Sequence, residues 1–133
     1  MKKIYVGCAL TQATEEFRKF VFSVRERIKD LGFEILEFAW VDGPRDDVNV
    51  YDYDVKHVDD ADYFVAFCDY PSIGLGIEIE RAMSTNTKTL AFYKKGSKIS
   101  KIVHDALESH GMQKPFEYEN EEDILNIIKT NFV

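Results

Sequence analysis

Cysteine, histidine and positive charge are scarce in this chain, and each scarcity removes a class of function. The two cysteines, Cys8 and Cys68, form no Cys-x-x-Cys pair. They fit a reducing cytoplasm better than a disulfide framework. Three scattered histidines, His57, His104 and His110, lack the spacing of a transition-metal site, so neither metal nor cofactor is expected. Lysine and arginine total 17 against 24 acidic residues, a net charge of −7. Tight binding to polymeric DNA or RNA is thereby disfavoured, although a local basic patch can still hold one phosphate. No apolar run approaches the ~20 residues of a membrane span. The opening Met1 to Leu10 has the faint look of a signal peptide, but its seven-residue apolar run passes directly into Thr11-Gln12-Ala13-Thr14-Glu15-Glu16 and reads as a strand. Internal repeats, low-complexity tracts and interdomain linkers are also missing.

What is there suits a folded domain. Apolar residues make up 45% and charged residues 31% of the 133 positions, so one compact domain over residues 1–133 is expected. Lys2 to Cys8 reads as a buried strand. A helix follows from about Thr14, its cap, to Leu31, with Phe17, Phe20, Val21, Val24, Ile28 and Leu31 inward and Gly32 ending it. Phe33 to Phe38 is a second strand, and Ala39 to Asn49 a polar loop carrying Trp40. Asn49 can cap a short helix over Val50–Asp60 whose inward positions are Tyr51, Val55 and Val58. Tyr63 to Cys68 and Thr87 to Tyr93 are further strands. Helices over Ile99–Ser109 and Glu121–Phe132 flank a weakly signalled edge strand, Phe116 to Tyr118.

Between the third strand and the helix that ends near Ser84 lies Asp69-Tyr70-Pro71-Ser72-Ile73-Gly74-Leu75-Gly76-Ile77-Glu78, with proline and two glycines at the junction. Helical spacing puts Leu75, Glu78, Ile79, Ala82 and Met83 on one inward face, so a carboxylate sits among four apolar residues. Asp54 is similarly out of place, three after Tyr51 and four before Val58. A buried carboxylate is costly unless it is paired, hydrated or used.

Strands alternating with helices predict an α/β, Rossmann or flavodoxin-like three-layer sandwich with a five-stranded, mainly parallel sheet in the order 2-1-3-4-5. Ligands bind such sheets beyond the carboxyl ends of the strands, at the switch between strands 1 and 3. Gly7-Cys8-Ala9 and Cys68 to Glu78 end there, so topology brings Glu78 and the first loop to one crevice.

Each candidate has a structural alternative. Glu78 could be bonded to backbone or paired with an arginine, although the Gly-x-Gly beside it clears space for a ligand. Asp54 could be a helix-surface acid. Together the two acids could divide nucleophile and proton-donor roles. Tyr5 reads as a core residue with a bonded hydroxyl. Cys8 and Cys68 read as packing, Trp40 as a base-stacking ring or a cover for the sheet edge, and Lys94 to Lys98 as a solvated turn.

Asp54-Val55-Lys56-His57-Val58-Asp59-Asp60-Ala61-Asp62 before an apolar strand, then Pro71-Ser72-Ile73-Gly74-Leu75-Gly76-Ile77-Glu78, together with the opening Ile4-Tyr5 strand, resembles the nucleoside 2-deoxyribosyltransferase family. Within it the match is closer to the 2'-deoxynucleoside 5'-monophosphate N-glycosidases. The resemblance spans about residues 2 to 105 and is strongest from 54 to 83. It implies Glu78 as the nucleophile at the anomeric carbon, Asp54 as sugar-binding residue and helper to the departing base, and Tyr5 as the group orienting Glu78. Ser72 stands where the base-exchanging enzymes typically carry an acid. Ser100, like Ser72, matches a phosphate-contacting serine of the hydrolases, there contributed across a dimer interface. The expected substrate-binding set is Gly7, Ala9, Ser72, Gly74, Gly76 and Ser100. In the first loop, Gly7-Cys8-Ala9-Leu10-Thr11-Gln12 replaces the hydrolases' Gly-Ser-x-Arg-Gly-Gly, and Gly7 matches the transferases' glycine.

The expectation is therefore an N-glycosidase of (deoxy)nucleoside 5'-monophosphates, homodimeric or larger by resemblance, with a small-molecule nucleotide or nucleoside as its partner. A deoxyribosyltransferase exchanging bases on free deoxynucleosides is the alternative within the family. A non-catalytic nucleotide-binding module is the alternative outside it. A phospho-receiver is disfavoured, because Cys8-Ala9-Leu10 occupies the place of its acidic pair.

Overall fold

A computed structural model describes residues 1–132. The elements run β1 (Lys3–Cys8), α1 (Glu15–Asp30), β2 (Glu34–Leu36), α2 (Val50–Asp60), β3 (Tyr63–Phe67), α3 (Ile73–Ser84), β4 (Lys88–Lys94), α4 (Lys101–Ser109), β5 (Phe116–Tyr118) and α5 (Glu121–Asn131). The strands form one sheet in the order β2-β1-β3-β4-β5, parallel throughout. The expected three-layer α/β fold is present.

Both faces of the sheet are covered, which is why β1, β3 and β4 are near-continuous apolar runs. Ile4, Val6, Val65, Phe67, Leu90 and Phe92 point to one side, against Phe17, Val21, Val24 and Ile28 of α1 and Ile124, Leu125 and Ile128 of α5. Tyr5, Phe64, Ala66 and Ala91 point to the other, against Val58 of α2, Leu75, Ile79, Ala82 and Met83 of α3, and Leu107 of α4. The pairing Cys8↔Phe67 and the register Gly7↔Ala66 bring the ends of β1 and β3 level. The loops carrying Leu10 and Ser72 therefore leave the sheet side by side.

Local chemistry explains most of the helix starts. Thr14, Asn49, Ser72 and Asn120 each accept a backbone N–H of the first turn of their helix, satisfying a donor with no intrahelical partner. Several expected boundaries shift. The second strand keeps only Glu34–Leu36 of the expected 33–38, because the chain then turns its backbone groups towards α2. The helix expected from Ile99 begins at Lys101, where the Ser100 carbonyl accepts from Val103 and His104. Leu31, expected inward, is the exposed C-cap of α1, and Gly32 follows at φ +100°. The last helix stops at Asn131, one residue short. Tyr51, also expected inward, is 56% exposed.

Candidate active site

α3 supplies the central group. All five residues of its inward face, Leu75, Glu78, Ile79, Ala82 and Met83, are buried, and Glu78 is only 8% exposed. Ser72 caps the helix, its Oγ accepting from Leu75 N at 3.1 Å. Glu78 is the sixth residue of a helix that starts at Ile73, so the favourable field of the N-terminus, felt within the first turn, has largely decayed there.

The Glu78 carboxyl has two polar neighbours on other elements. The Tyr5 hydroxyl, on β1 and fully buried, donates to Oε2 at 2.5 Å. Asp54 of α2 lies close enough to Glu78 for each carboxyl to shift the titration of the other, and its Oδ1 accepts from Ala39 N at 2.7 Å. Gly7 is required by this packing. A Cβ there would lie 2.9 Å from Leu75 Cδ1, 3.0 Å from Glu78 Oε1 and 3.2 Å from Phe64 Cζ. The missing side chain makes room for Glu78 against β1.

These contacts set the proton inventory. Burial pushes the Glu78 carboxyl up to about 8, the Tyr5 hydroxyl opposes that rise, and the charge and hydrogen bond of Asp54 add to it. Burial also raises Asp54, while the Ala39 N–H works against it. Two carboxyls in contact cannot both ionise cheaply, so near neutrality they share one proton. Burial first, then the charges of Glu78 and Asp54, hold Tyr5 far above the ordinary phenol range, which keeps it a donor. The Cys8 and Cys68 thiols, each pushed up to about 12 mainly by burial, remain protonated.

Glu78 opens onto a crevice of about 170 Å³ walled by Gly7, Leu10, Thr11, Phe38, Trp40, Asp54, Ser72 and Gly74 among others. This is below the ~300–1,000 Å³ of typical ligand pockets, so it matches one ring of a larger ligand. Two grooves adjoin it. One, of about 490 Å³, shares Leu10, Thr11 and Trp40 and is otherwise walled by Phe22, Val41, Pro44 and Arg18. The other, of about 510 Å³, shares Ser72 and Leu75 and carries Gly76, Lys98, Ile99 and Ser100.

Among the expected residues, Glu78, Asp54, Gly7, Ser72 and Gly74 thus meet at one crevice, with Tyr5 directly behind Glu78. Ala9 is fully buried and does not line it. Gly76 and Ser100 belong to the second groove. Neither Gly74 nor Gly76 has positive φ, and a Cβ at either would meet no close atom. The expected tight turn is therefore made without any glycine-only conformation. Asp54 is a half-buried acid bonded to the Ala39 amide, Tyr5 is both core residue and hydrogen-bond donor, and among the described residues the polar neighbours of Glu78 include no arginine. Among the described residues, no group of three His, Cys, Asp or Glu is placed to hold a metal ion.

Sequence reading passed over two arginines of α1. Arg18 donates to the carbonyls of Leu10 and Ala13, both at 2.8 Å, and so fastens the first loop. Arg25 is buried beside Phe22 and Phe38 and paired with Glu37. Its signal was available, since it stands four after Val21 and three before Ile28.

No protein-family model matches the chain, and no curated protein matches it by sequence. Solved structures do. The Clostridium botulinum CMP N-glycosidase BcmB superposes with a TM-score of 0.74 at 18% identity, over 97% of this chain and 98% of that one. A 2-deoxyribosyltransferase from the psychrotolerant bacterium Bacillus psychrosaccharolyticus gives 0.68 at 20% identity, over 93% and 90%. A conserved protein from Enterococcus faecalis gives 0.65 at 19%, over 99% of each. This chain therefore has, over nearly its whole length, the fold that an N-glycosidase and a deoxyribosyltransferase also use.

Proposed function

We propose that this chain is a member of the nucleoside 2-deoxyribosyltransferase family that hydrolyses the N-glycosidic bond of (deoxy)nucleoside 5'-monophosphates. The observation that carries this reading is the pairing of buried Glu78 with half-buried Asp54, with Tyr5 bonded to Glu78 and the pair open to a ring-sized crevice. A shared proton leaves one carboxylate and one acid, the two forms a displacement at an anomeric carbon needs. A carboxylate and an acid so paired are the two groups that a double displacement uses.

In the first step the shared proton passes from Glu78 to Asp54 and a Glu78 oxygen, now ionised, bonds to the anomeric carbon. The carbon–nitrogen bond breaks, and the base leaves with the electron pair and a proton from Asp54. In the second, water gives its proton to Asp54 and its oxygen to the anomeric carbon, breaking the ester to Glu78 and releasing (deoxy)ribose 5-phosphate. The Tyr5 hydrogen bond stabilises the carboxylate both before attack and on departure. Ser72, Lys98 and Ser100, gathered in one groove beside the crevice, offer hydroxyls and a cation to a phosphate. The resemblance to a structure named as a CMP N-glycosidase agrees with a phosphorylated substrate.

We place the reaction within one cytoplasmic domain whose chain pairs with a second copy. Both cysteines are free. Ile73 and Ile102, 87% and 78% exposed, put apolar surface beside the Ser100 groove where a second copy can cover it. Base exchange on free deoxynucleosides is a second reading, favoured by Gly7 in place of the hydrolases' loop.

The test is a chromatographic assay of deoxynucleosides and deoxynucleoside monophosphates, with and without a second base. Free base and sugar phosphate are expected, and Glu78→Ala should lose at least ~100-fold, since no neighbouring group can replace the nucleophile. Base exchange on unphosphorylated substrate with little hydrolysis would select the transferase. Binding without turnover would select a non-catalytic module.

A further inference from the structure

The Ala39 amide that holds Asp54 belongs to a segment anchored from outside the crevice. Arg25 of α1 is 3% exposed. Its guanidinium carbon lies 5.0 Å from the Phe22 ring centroid and 5.6 Å from that of Phe38. Its Nη2 donates to the Glu37 carboxylate, and its Nε has no partner among the described residues. The Glu37 carbonyl bonds to His57 Nδ1 on α2, one turn after Asp54. Phe38 walls the crevice, and the next residue, Ala39, donates to Asp54. Residues 37–39 are thus clamped between α1 and α2, and the clamp ends on the acid.

A buried arginine with an unpartnered nitrogen and a half-exposed acid as its mate contributes little stability, because desolvating the ions offsets their attraction. An apolar side chain between two phenyl rings would serve the core at least as well. We propose that Arg25 is a positioning residue: through Glu37 and Phe38 it fixes the Ala39 N–H that holds Asp54 against Glu78. The assignment of catalysis to that pair rests on the proposed function, whereas the positioning of Asp54 stands on the structure alone.

The groups facing the Asp54 carboxyl are Glu78 of α3, Tyr5 of β1, His57 of its own helix and the Ala39 amide. Of these, only the Ala39 amide lies on the segment that Arg25 clamps, and it favours ionised Asp54. Loosening the clamp should therefore raise the titration of Asp54 and move upward the limb of the pH–rate profile that reports it.

Arg25→Met fills the site between the rings without the charge, Arg25→Lys retains it, and Glu37→Gln releases the segment from a partly exposed position. Carboxyl carbon-13 NMR of the whole protein without substrate should show Asp54 titrating about half a unit or more higher in Arg25→Met and in Glu37→Gln. In Arg25→Lys it should lie nearer wild type. The double variant should resemble either single one, since both act through one link. In the base-release assay kcat should fall ~10-fold or more, with KM changed less. A folded Arg25→Met with unmoved Asp54 titration would overturn the proposal, as would additive effects in the double variant. Should Arg25→Met fail to fold, Glu37→Gln carries the same test. A moved titration in a protein that cleaves no nucleotide would refute the function and leave the positioning role standing.

Discussion

Tyr5 and Glu78 are 73 positions apart in the chain and joined by one hydrogen bond. That bond opposes the burial that drives the Glu78 carboxyl up to about 8. In Tyr5→Phe the ionised form loses its donor, so the Glu78 pKa rises further. The limb of kcat/KM against pH that reports Glu78, near 8 in the wild type, should move to higher pH, and kcat should fall by up to ~100-fold through loss of orientation. A variant with reduced kcat and an unmoved limb would show that the hydroxyl serves packing alone. Gly7 belongs to the same scale. It looks like a loop glycine in the sequence, yet the atoms that demand it belong to Leu75, Glu78 and Phe64.

At the scale of the element, α3 and its cap combine two jobs. Ser72 Oγ closes the first turn and also faces both the crevice and the Ser100 groove. Two substitutions separate these jobs. Ser72→Ala removes the cap and should lower stability in urea unfolding by about 1 kcal/mol. Ser72→Asp keeps a capping oxygen, so stability should stay near wild type, but it places a negative charge where a phosphate would lie. The kcat/KM ratio of nucleoside over nucleotide should then rise. An unchanged ratio would mean that phosphate does not bind at the start of α3. The second strand is the counterpart in which an element gives way to the site. The three-residue Glu34–Leu36 stops early, leaving Glu37 and Ala39 to bond with α2 instead of a neighbouring strand.

For the whole molecule the buried acid has a thermodynamic signature. Its folded pKa, about 8, lies above the ordinary value of 4.5. Between those limits the folded chain retains a proton that the unfolded chain has lost. Glu78 therefore favours folding fully below the lower limit, and that contribution is lost as pH rises through the upper one. Urea unfolding across this range should show Glu78→Gln gaining stability relative to wild type with rising pH. A constant difference between the two proteins would show that Glu78 titrates normally. Such a cost, carried at neutral pH, marks Glu78 as a functional-site candidate.

Periodicity determined the alternating elements and the inward turn of Glu78 and Asp54, because each depends on which side of a helix or strand faces an apolar layer, and the run of five βα units then suggested the sheet order. The caps Thr14 and Asn49 were legible for a similar local reason: a short polar side chain reaches only the first turn beside it. What only the tertiary structure decided depends on how separate elements close on one another. Tyr51 satisfies the helical spacing but is 56% exposed, beside the outer side of α3. Ala9 lies in the expected loop but beneath its surface, while Gly76 and Ser100 face a different groove. Arg25, Glu37, Ala39 and Asp54 are drawn from three segments, and no spacing rule connects them. Their union is a matter of packing distance, which a local pattern does not encode and which closure of α1, the 37–39 segment and α2 on the sheet creates.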